Sequence, residues 1–124
     1  MSKSFSGCGP LNPWLQEMLD AGLDPTDVKM LIRSFLDTAP AVLTEAQEYL
    51  ERGDMKGSAR AAHRLVGGAA NVGVFDLEAV ARELERICEA GERAQAIEIF
   101  ASVSKEYAAA EKELELASAT LGNA

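Results

Sequence analysis

Residues 61–73 of this chain read AAHRLVGGAANVG. This stretch contains the single histidine of the sequence, His63, and two adjacent glycines, Gly67 and Gly68, about one helical turn later. Glycine in a helix interior costs about 1 kcal/mol relative to alanine. A helix that accepts two glycines in succession therefore needs a reason, such as close packing on a neighbouring helix or open space beside the histidine.

A helical wheel with about 100° between residues separates an apolar stripe from the face that carries the histidine. The stripe, which is expected to face the core, contains Ala61, Leu65, Ala69 and Val72. His63 lies on the opposite side and is expected to face solvent. Gly67 shares that side and leaves room for another molecule to approach the ring, whereas Gly68 turns towards the core and permits close helix packing. The other residues near His63 on the outer face are Lys56, Ala59 and Ala70, with Arg60 and Arg64 on one flank.

Capping signals divide the rest of the chain into helices. The predicted N-caps are Asn12, Asp24, Asp54 and Asp76, and the first two are followed by a proline at the first helical position. Phe75 precedes the last of these caps and is expected to pack onto Val80 as a hydrophobic staple. The predicted C-terminal glycines are Gly22, Gly53, Gly73 and Gly91. The helix that carries His63 should therefore run from Asp54 to about Asn71.

The other helices are amphipathic, and no segment has the pattern of a strand. One begins after Asp24 and carries Pro40, which either kinks it or divides it into two nearly collinear helices. The last runs from about Glu92 to Leu121, and its predicted buried side contains Ile97, Phe100, Tyr107, Leu114 and Leu121. Short connections between four such helices, after one short leading helix, predict an all-α, antiparallel up-down-up-down four-helix bundle. Residues 1–10 are expected to form a flexible tail, and residues 11–121 a single domain.

Composition and charge exclude several classes of function. The 124 residues carry 12 basic and 20 acidic side chains, a net charge of −8, which disfavours nucleic acid and anionic membranes as partners. No apolar run is long enough to span a bilayer. The two cysteines, Cys8 and Cys88, are far apart in sequence, so neither a disulfide nor a metal site is expected, and Cys88 fits a small buried hydrophobe. These features predict a cytoplasmic protein without a metal or another cofactor of its own.

The chemistry of the chain therefore depends on His63. A neutral imidazole is a competent nucleophile at neutral pH. Lys56, Arg60 and Arg64 would favour an incoming phosphoryl group. A solvent-facing histidine can equally be an ordinary surface residue. The sequence places no second polar group with His63 to form an acid–base pair, so a free-standing metabolic enzyme has little support.

The residues around His63 resemble the signature of a known family. The spacing H-x-L-x-G-x-A-x-x-x-G, formed by His63, Leu65, Gly67, Ala69 and Gly73, is similar to that of histidine-containing phosphotransfer (HPt) domains. Ala62 before the histidine and Leu77, Leu84 and Glu85 after it also fit the family pattern. The resemblance covers roughly residues 11–120 and is sharpest over residues 59–85.

The resemblance implies a specific role. HPt domains are monomeric four-helix bundles that carry a phosphoryl group on one exposed histidine, which here is His63. They receive it from a phospho-aspartate on a response-regulator receiver domain and pass it to another receiver, in bacterial-type two-component relays that begin with a hybrid sensor histidine kinase. The receiver would supply the Mg²⁺ and the aspartate, and no ATP-dependent kinase activity is expected of this chain.

One position departs from the family pattern. HPt domains commonly have a lysine three residues after the histidine, and this chain has Val66 there. Arg60 and Arg64 remain as candidates for stabilising the phosphoryl group, with Gly67 giving access. The predicted partner surface contains Lys56, Ala59 and Ala70, with Val66 at the edge of an apolar patch. The departure also favours an alternative, a non-catalytic helical adaptor or inhibitor that binds a kinase or response regulator through the same face.

Overall fold

A computed structural model describes residues 11–122, and the regular structure in this range is entirely helical. The helices are α1 (Pro13–Asp20), α2 (Pro25–Arg52), α3 (Met55–Asn71), α4 (Phe75–Glu89) and α5 (Arg93–Gly122). The predicted tail over residues 1–10 lies outside the described residues. Between residues 11 and 122, no helix combines the length and apolarity needed to cross a membrane.

The predicted starts of the first three helices are confirmed. Asn12, Asp24 and Asp54 each accept, through a side-chain oxygen, a hydrogen bond from a backbone N–H in the first turn of the helix that follows. These bonds satisfy N–H groups that have no partner within the helix. The turn between α2 and α3 is short because Gly53 ends α2 with a left-handed φ of 76° and Asp54 caps α3 at once.

The start of α4 differs from the prediction. The helix begins at Phe75, after Val74, which provides no side-chain cap, and Asp76 lies within the first turn. Since Phe75 is itself helical, it cannot form the predicted staple, which requires a residue before the cap. Its ring, 53% exposed, instead packs edge-on against Trp14 of α1, with the ring centroids 6.2 Å apart. This contact places α1 across the α3–α4 turn.

Pro40 does not divide its helix. It lies inside α2, which continues from Pro25 to Arg52 as one element. Proline lacks the N–H that would donate to the carbonyl of Leu36, so one hydrogen bond of the helix is lost. Pro40 is exposed, and its ring therefore takes no space from the core. The two interpretations left open by the sequence thus resolve to a single helix.

The four long helices enclose one hydrophobic core. Helix α3 packs against α2 and α4, and α5 packs against the same two helices from the other side. Each long helix contributes at least one large aliphatic side chain that is no more than 3% exposed, namely Ile32, Leu65, Leu84 and Leu114. Burial of each such side chain stabilises the fold by about 1.5–3 kcal/mol. As a result, α3 is flanked on two sides and keeps only a narrow solvent-facing strip.

The buried face of α5 follows a heptad-like spacing. Its inward positions alternate steps of four and three residues: Ala96, Phe100, Val103, Tyr107, Ala110, Leu114, Ala117 and Leu121. Tyr107, Leu114 and Leu121 are buried as predicted, and Phe100 is partly buried. The prediction for Ile97 is wrong, since it is 47% exposed. Ala96 occupies the inward position in this part of the helix. Ile97, the next residue, therefore points away from the core.

Candidate functional site

His63 projects from the outer strip of α3. Its side chain is 71% exposed, as the helical wheel predicts. Gly67, one turn later, is also exposed, and a Cβ atom built on it would have no neighbouring atom within 4 Å. A Cβ atom on Gly68 would lie 3.0 Å from Cδ1 of Phe35 in α2. The two glycines therefore differ as predicted: Gly67 leaves space beside the imidazole, and Gly68 permits close packing.

The imidazole of His63 has a partner on the next helix. Its Nδ1 lies 2.9 Å from Oε2 of Glu85 in α4, a carboxylate that is only 19% exposed. A carboxylate can only accept, so Nδ1 carries the proton and donates it to Glu85. The other ring nitrogen, Nε2, is then left with its lone pair in the neutral form.

This contact corrects the expectation that no second polar group accompanies His63. A wheel drawn for α3 alone shows the neighbours of His63 on that helix and nothing that α4 brings beside it. A signal was nevertheless available in the sequence. The short α3–α4 turn around Gly73 brings together residues that lie at similar sequence separations before and after it. Glu85 follows Gly73 at nearly the same separation at which His63 precedes it.

The sequence predicts that Val66 lies at the edge of an exposed apolar patch, and this prediction is wrong. Val66 is 6% exposed and belongs to the hydrophobic core. The reason is that α2 and α4 together cover a wider sector of α3 than the apolar stripe suggests. Of the other predicted partner residues, Lys56 is exposed, whereas Ala59 and Ala70 are partly buried.

The two arginines on the flank of α3 differ in their environment. Nη2 of Arg64 lies 2.5 Å from Oε1 of Glu45 in α2, so its charge is neutralised by an ion pair. Arg60 is exposed, and no ion pair is formed by Arg60 or by Lys56 within residues 11–122. The two arginines lie together on the wheel but therefore differ in the structure: Arg64 is paired with Glu45, and Arg60 forms no ion pair among the described residues.

A groove of about 410 Å³ opens beside His63. It is bordered by Tyr49 of α2, by Gly57 and Arg60 of α3 and by Glu85 of α4. A Cβ atom on Gly57 would come within 2.5 Å of the Tyr49 ring, so only glycine lets the ring lie this close to α3. The groove is not apparent from the sequence, because it depends on how three helices pack together.

Cys88 is separated from this surface chemistry. It is 2% exposed, which confirms the prediction of a small buried hydrophobe. Burial raises the pKa of its thiol, and the charge of Glu89 acts in the same direction, while a hydrogen bond with Ser58 partly offsets both. Over residues 11–122, no three His, Cys, Asp or Glu side chains cluster so that they could hold a metal.

Comparison with known proteins gives one family. The family model described as "Hpt domain" matches residues 30–119, which is most of the chain and extends from α2 to α5. The matched range includes His63, Gly67 and Glu85. No curated protein and no solved structure matches the chain.

Proposed function

Because the chain belongs to the HPt domain family, we propose that His63 accepts a phosphoryl group from the aspartate of one receiver domain and passes it to another. HPt domains carry out histidine phosphotransfer in phosphorelays. The observation that carries the proposal is the environment of His63, which is exposed and has Nδ1 bonded to Glu85. Nε2 is thus free to react on the solvent side.

The transfer is a displacement at phosphorus. The Nε2 lone pair attacks the phosphorus of the aspartyl phosphate, and the N–P bond forms as the P–O bond to the aspartate breaks. The aspartate leaves as a carboxylate. Nδ1 keeps its proton, the ring gains a positive charge, and the Glu85 carboxylate 2.9 Å away stabilises that charge. Transfer to a second receiver runs through the same steps in reverse.

Gly67 gives the receiver access to the imidazole. The open space beside Gly67 admits the loops that surround the receiver aspartate. The docking surface consists of Lys56, Ala59 and Ala70 around His63, with the buried Val66 lying beneath it. Mg²⁺ is held by the receiver, and this chain needs no cofactor of its own for the transfer. It acts as a phosphotransfer intermediate and not as an ATP-dependent kinase.

The arrangement of the helices suits this role. The connections between α2, α3, α4 and α5 are two or three residues long, which supports an antiparallel up-down-up-down bundle. We propose that this bundle acts as a monomer. The proposed partners are receiver domains and a hybrid sensor histidine kinase in the cytoplasm. A net charge of −8 disfavours nucleic acid and anionic membranes as partners. In this arrangement His63 lies on one side of a rigid scaffold.

A second candidate function is a non-catalytic adaptor that binds a kinase or response regulator through the same face. The observation that favours it is the buried Val66 at the position where the family commonly has a lysine. An adaptor would bind its partner without any requirement for the imidazole. The variant His63→Ala therefore distinguishes the two functions.

The test is phosphoryl transfer from a panel of phosphorylated receiver domains. Acid-labile, base-stable label on this chain is expected from at least one receiver, and it should be absent from His63→Ala. The single histidine of the chain makes the assignment direct. Binding of one receiver to both proteins without any label on the wild type would reject the relay and support the adaptor.

A further inference from the structure

Of the four residues that lie three or four positions from His63, only Arg60 carries a charge. On a helix, the side chains three and four positions away are the neighbours of a given residue, at about 5–6 Å between Cβ atoms. For His63 these positions are held by Ala59, Arg60, Val66 and Gly67. Alanine and glycine offer no donor, and the valine is buried in the core. We propose that Arg60 supplies the positive charge that stabilises the phosphoryl group on His63, an inference that rests on the proposed phosphotransfer function.

The two other nearby cations are less suited to this task. Arg64 is adjacent to His63 in sequence and therefore does not face it on the helix. It is also held at 2.5 Å by Glu45. Lys56 lies two turns away from His63. Arg60 and Arg64 both border the groove beside the imidazole. Arg60, in contrast to Arg64, forms no ion pair within the described range.

The charges around His63 are arranged on opposite sides of the ring. Glu85 contacts Nδ1 from α4, and Glu89 borders the same groove on that helix. Arg60 lies on the other flank of the wheel, towards α2. A phosphoryl group on Nε2 points away from Glu85, since the two ring nitrogens face different directions. The guanidinium of Arg60 can then donate two N–H bonds to phosphoryl oxygens that take no part in the displacement.

This assignment moves the cation to the other side of the histidine. The family's usual lysine lies three residues after the histidine, whereas Arg60 lies three residues before it. Val66 and Gly67, the residues three and four positions after His63, then carry no charge, and Gly67 serves only for access. Arg60 stabilises the phosphoryl group during transfer and afterwards, so its loss should slow phosphorylation and shorten the lifetime of phospho-His63.

The experiment uses phosphoramidate, a small phosphoryl donor that requires no partner protein. Wild-type chain and the variants Arg60→Ala, Arg60→Lys, Arg64→Ala, Lys56→Ala and His63→Ala are labelled, and the rate of appearance and the decay of phosphohistidine are measured. The three alanine variants at cationic positions each remove one positive charge, so they are matched in net charge. Circular dichroism melting checks that each remains folded.

Arg60→Ala is expected to be labelled about tenfold more slowly, because one charge-assisted contact is lost. Arg60→Lys should retain part of the rate. Arg64→Ala and Lys56→Ala should stay within about twofold of the wild type, since Arg64 is paired with Glu45 and solvent screens Lys56 two turns away. Equal rates for Arg60→Ala and wild type, or a larger loss in Arg64→Ala, would overturn the assignment of Arg60. Absence of label on the wild type, both from phosphoramidate and from every receiver of the panel, would instead reject the proposed function itself.

Discussion

His63 and Glu85 lie on neighbouring helices and are joined by a hydrogen bond of 2.9 Å between Nδ1 and Oε2. The bond holds the ring in one orientation although the side chain is 71% exposed. It also selects the tautomer with the proton on Nδ1, so that Nε2 presents its lone pair to solvent. In the proposed phosphotransfer, Glu85 thus acts through His63 as a positioning residue.

Substitution of Glu85 should slow phosphotransfer without unfolding the bundle. Glu85→Ala is expected to reduce the rate about tenfold, the effect of losing one charge-assisted hydrogen bond. Glu85→Gln should fall between alanine and wild type, because an amide oxygen accepts the Nδ1 proton but carries no charge. The ¹⁵N shifts of the single histidine should move towards the Nε2–H tautomer in Glu85→Ala. The control is Glu89→Gln, since Glu89 borders the same groove. An unchanged ¹⁵N spectrum in Glu85→Ala would contradict the positioning role.

Gly67→Gln should block phosphotransfer while leaving the protein folded. A Cβ atom at this position has nothing within 4 Å to clash with inside the protein. The glutamine side chain would instead occupy the space through which the receiver approaches His63. Timed phosphotransfer from a receiver that labels the wild type measures the effect, with a melting curve to confirm folding. Transfer at the wild-type rate would reject the access argument.

Alanine at the two adjacent glycines should have different effects on stability. Gly67→Ala is expected to raise the free energy of unfolding by up to about 1 kcal/mol, the difference in helix propensity. Gly68→Ala should not show this gain, because its Cβ atom would lie 3.0 Å from the Phe35 ring. Urea unfolding of both variants checks this. Equal stabilisation by the two substitutions would show that Gly68 is not required for helix packing.

Val66→Ala should lower stability and leave the interaction with a receiver unchanged. Removal of a buried aliphatic group is expected to cost roughly 1–3 kcal/mol in the free energy of unfolding. Met30→Ala is a useful comparison, since Met30 is 63% exposed and its loss should change stability by no more than about 0.5 kcal/mol. Chemical unfolding and receiver binding are measured for both. A stable Val66→Ala with weakened binding would restore Val66 to the partner surface.

Cys88 should make the protein less stable at alkaline pH. Burial raises the pKa of its thiol in the folded state, so the unfolded chain releases that proton at lower pH than the folded one. The contribution is fully present below the unfolded pKa and is lost as the pH rises towards the folded value. The free energy of unfolding should therefore fall more steeply in the wild type than in Cys88→Ala as the pH rises above about 8.5, the ordinary pKa of a thiol. Parallel slopes would show that the thiol has the same pKa in both states.

Local signals in the sequence predicted most of the helices. Asn12, Asp24 and Asp54 mark helix starts because a side-chain oxygen next to free N–H groups has the same effect in any fold. The left-handed Gly53 and Gly73 end helices for an equally local reason. The start of α4 was misplaced because Phe75 is held by Trp14, which is remote in sequence.

Local sequence signals suffice to predict the helical segments, the outward direction of His63 and the different orientations of Gly67 and Gly68. Helix caps and helical periodicity act within a single helix and do not depend on the rest of the fold. The tertiary structure alone decided that Val66 is buried, that Glu45 neutralises Arg64 and that Glu85 reaches His63. Each of these depends on which neighbouring helix covers a given side of α3 and at which register. Burial and electrostatic pairing are properties of the space between helices, and a wheel drawn for one helix does not contain that space.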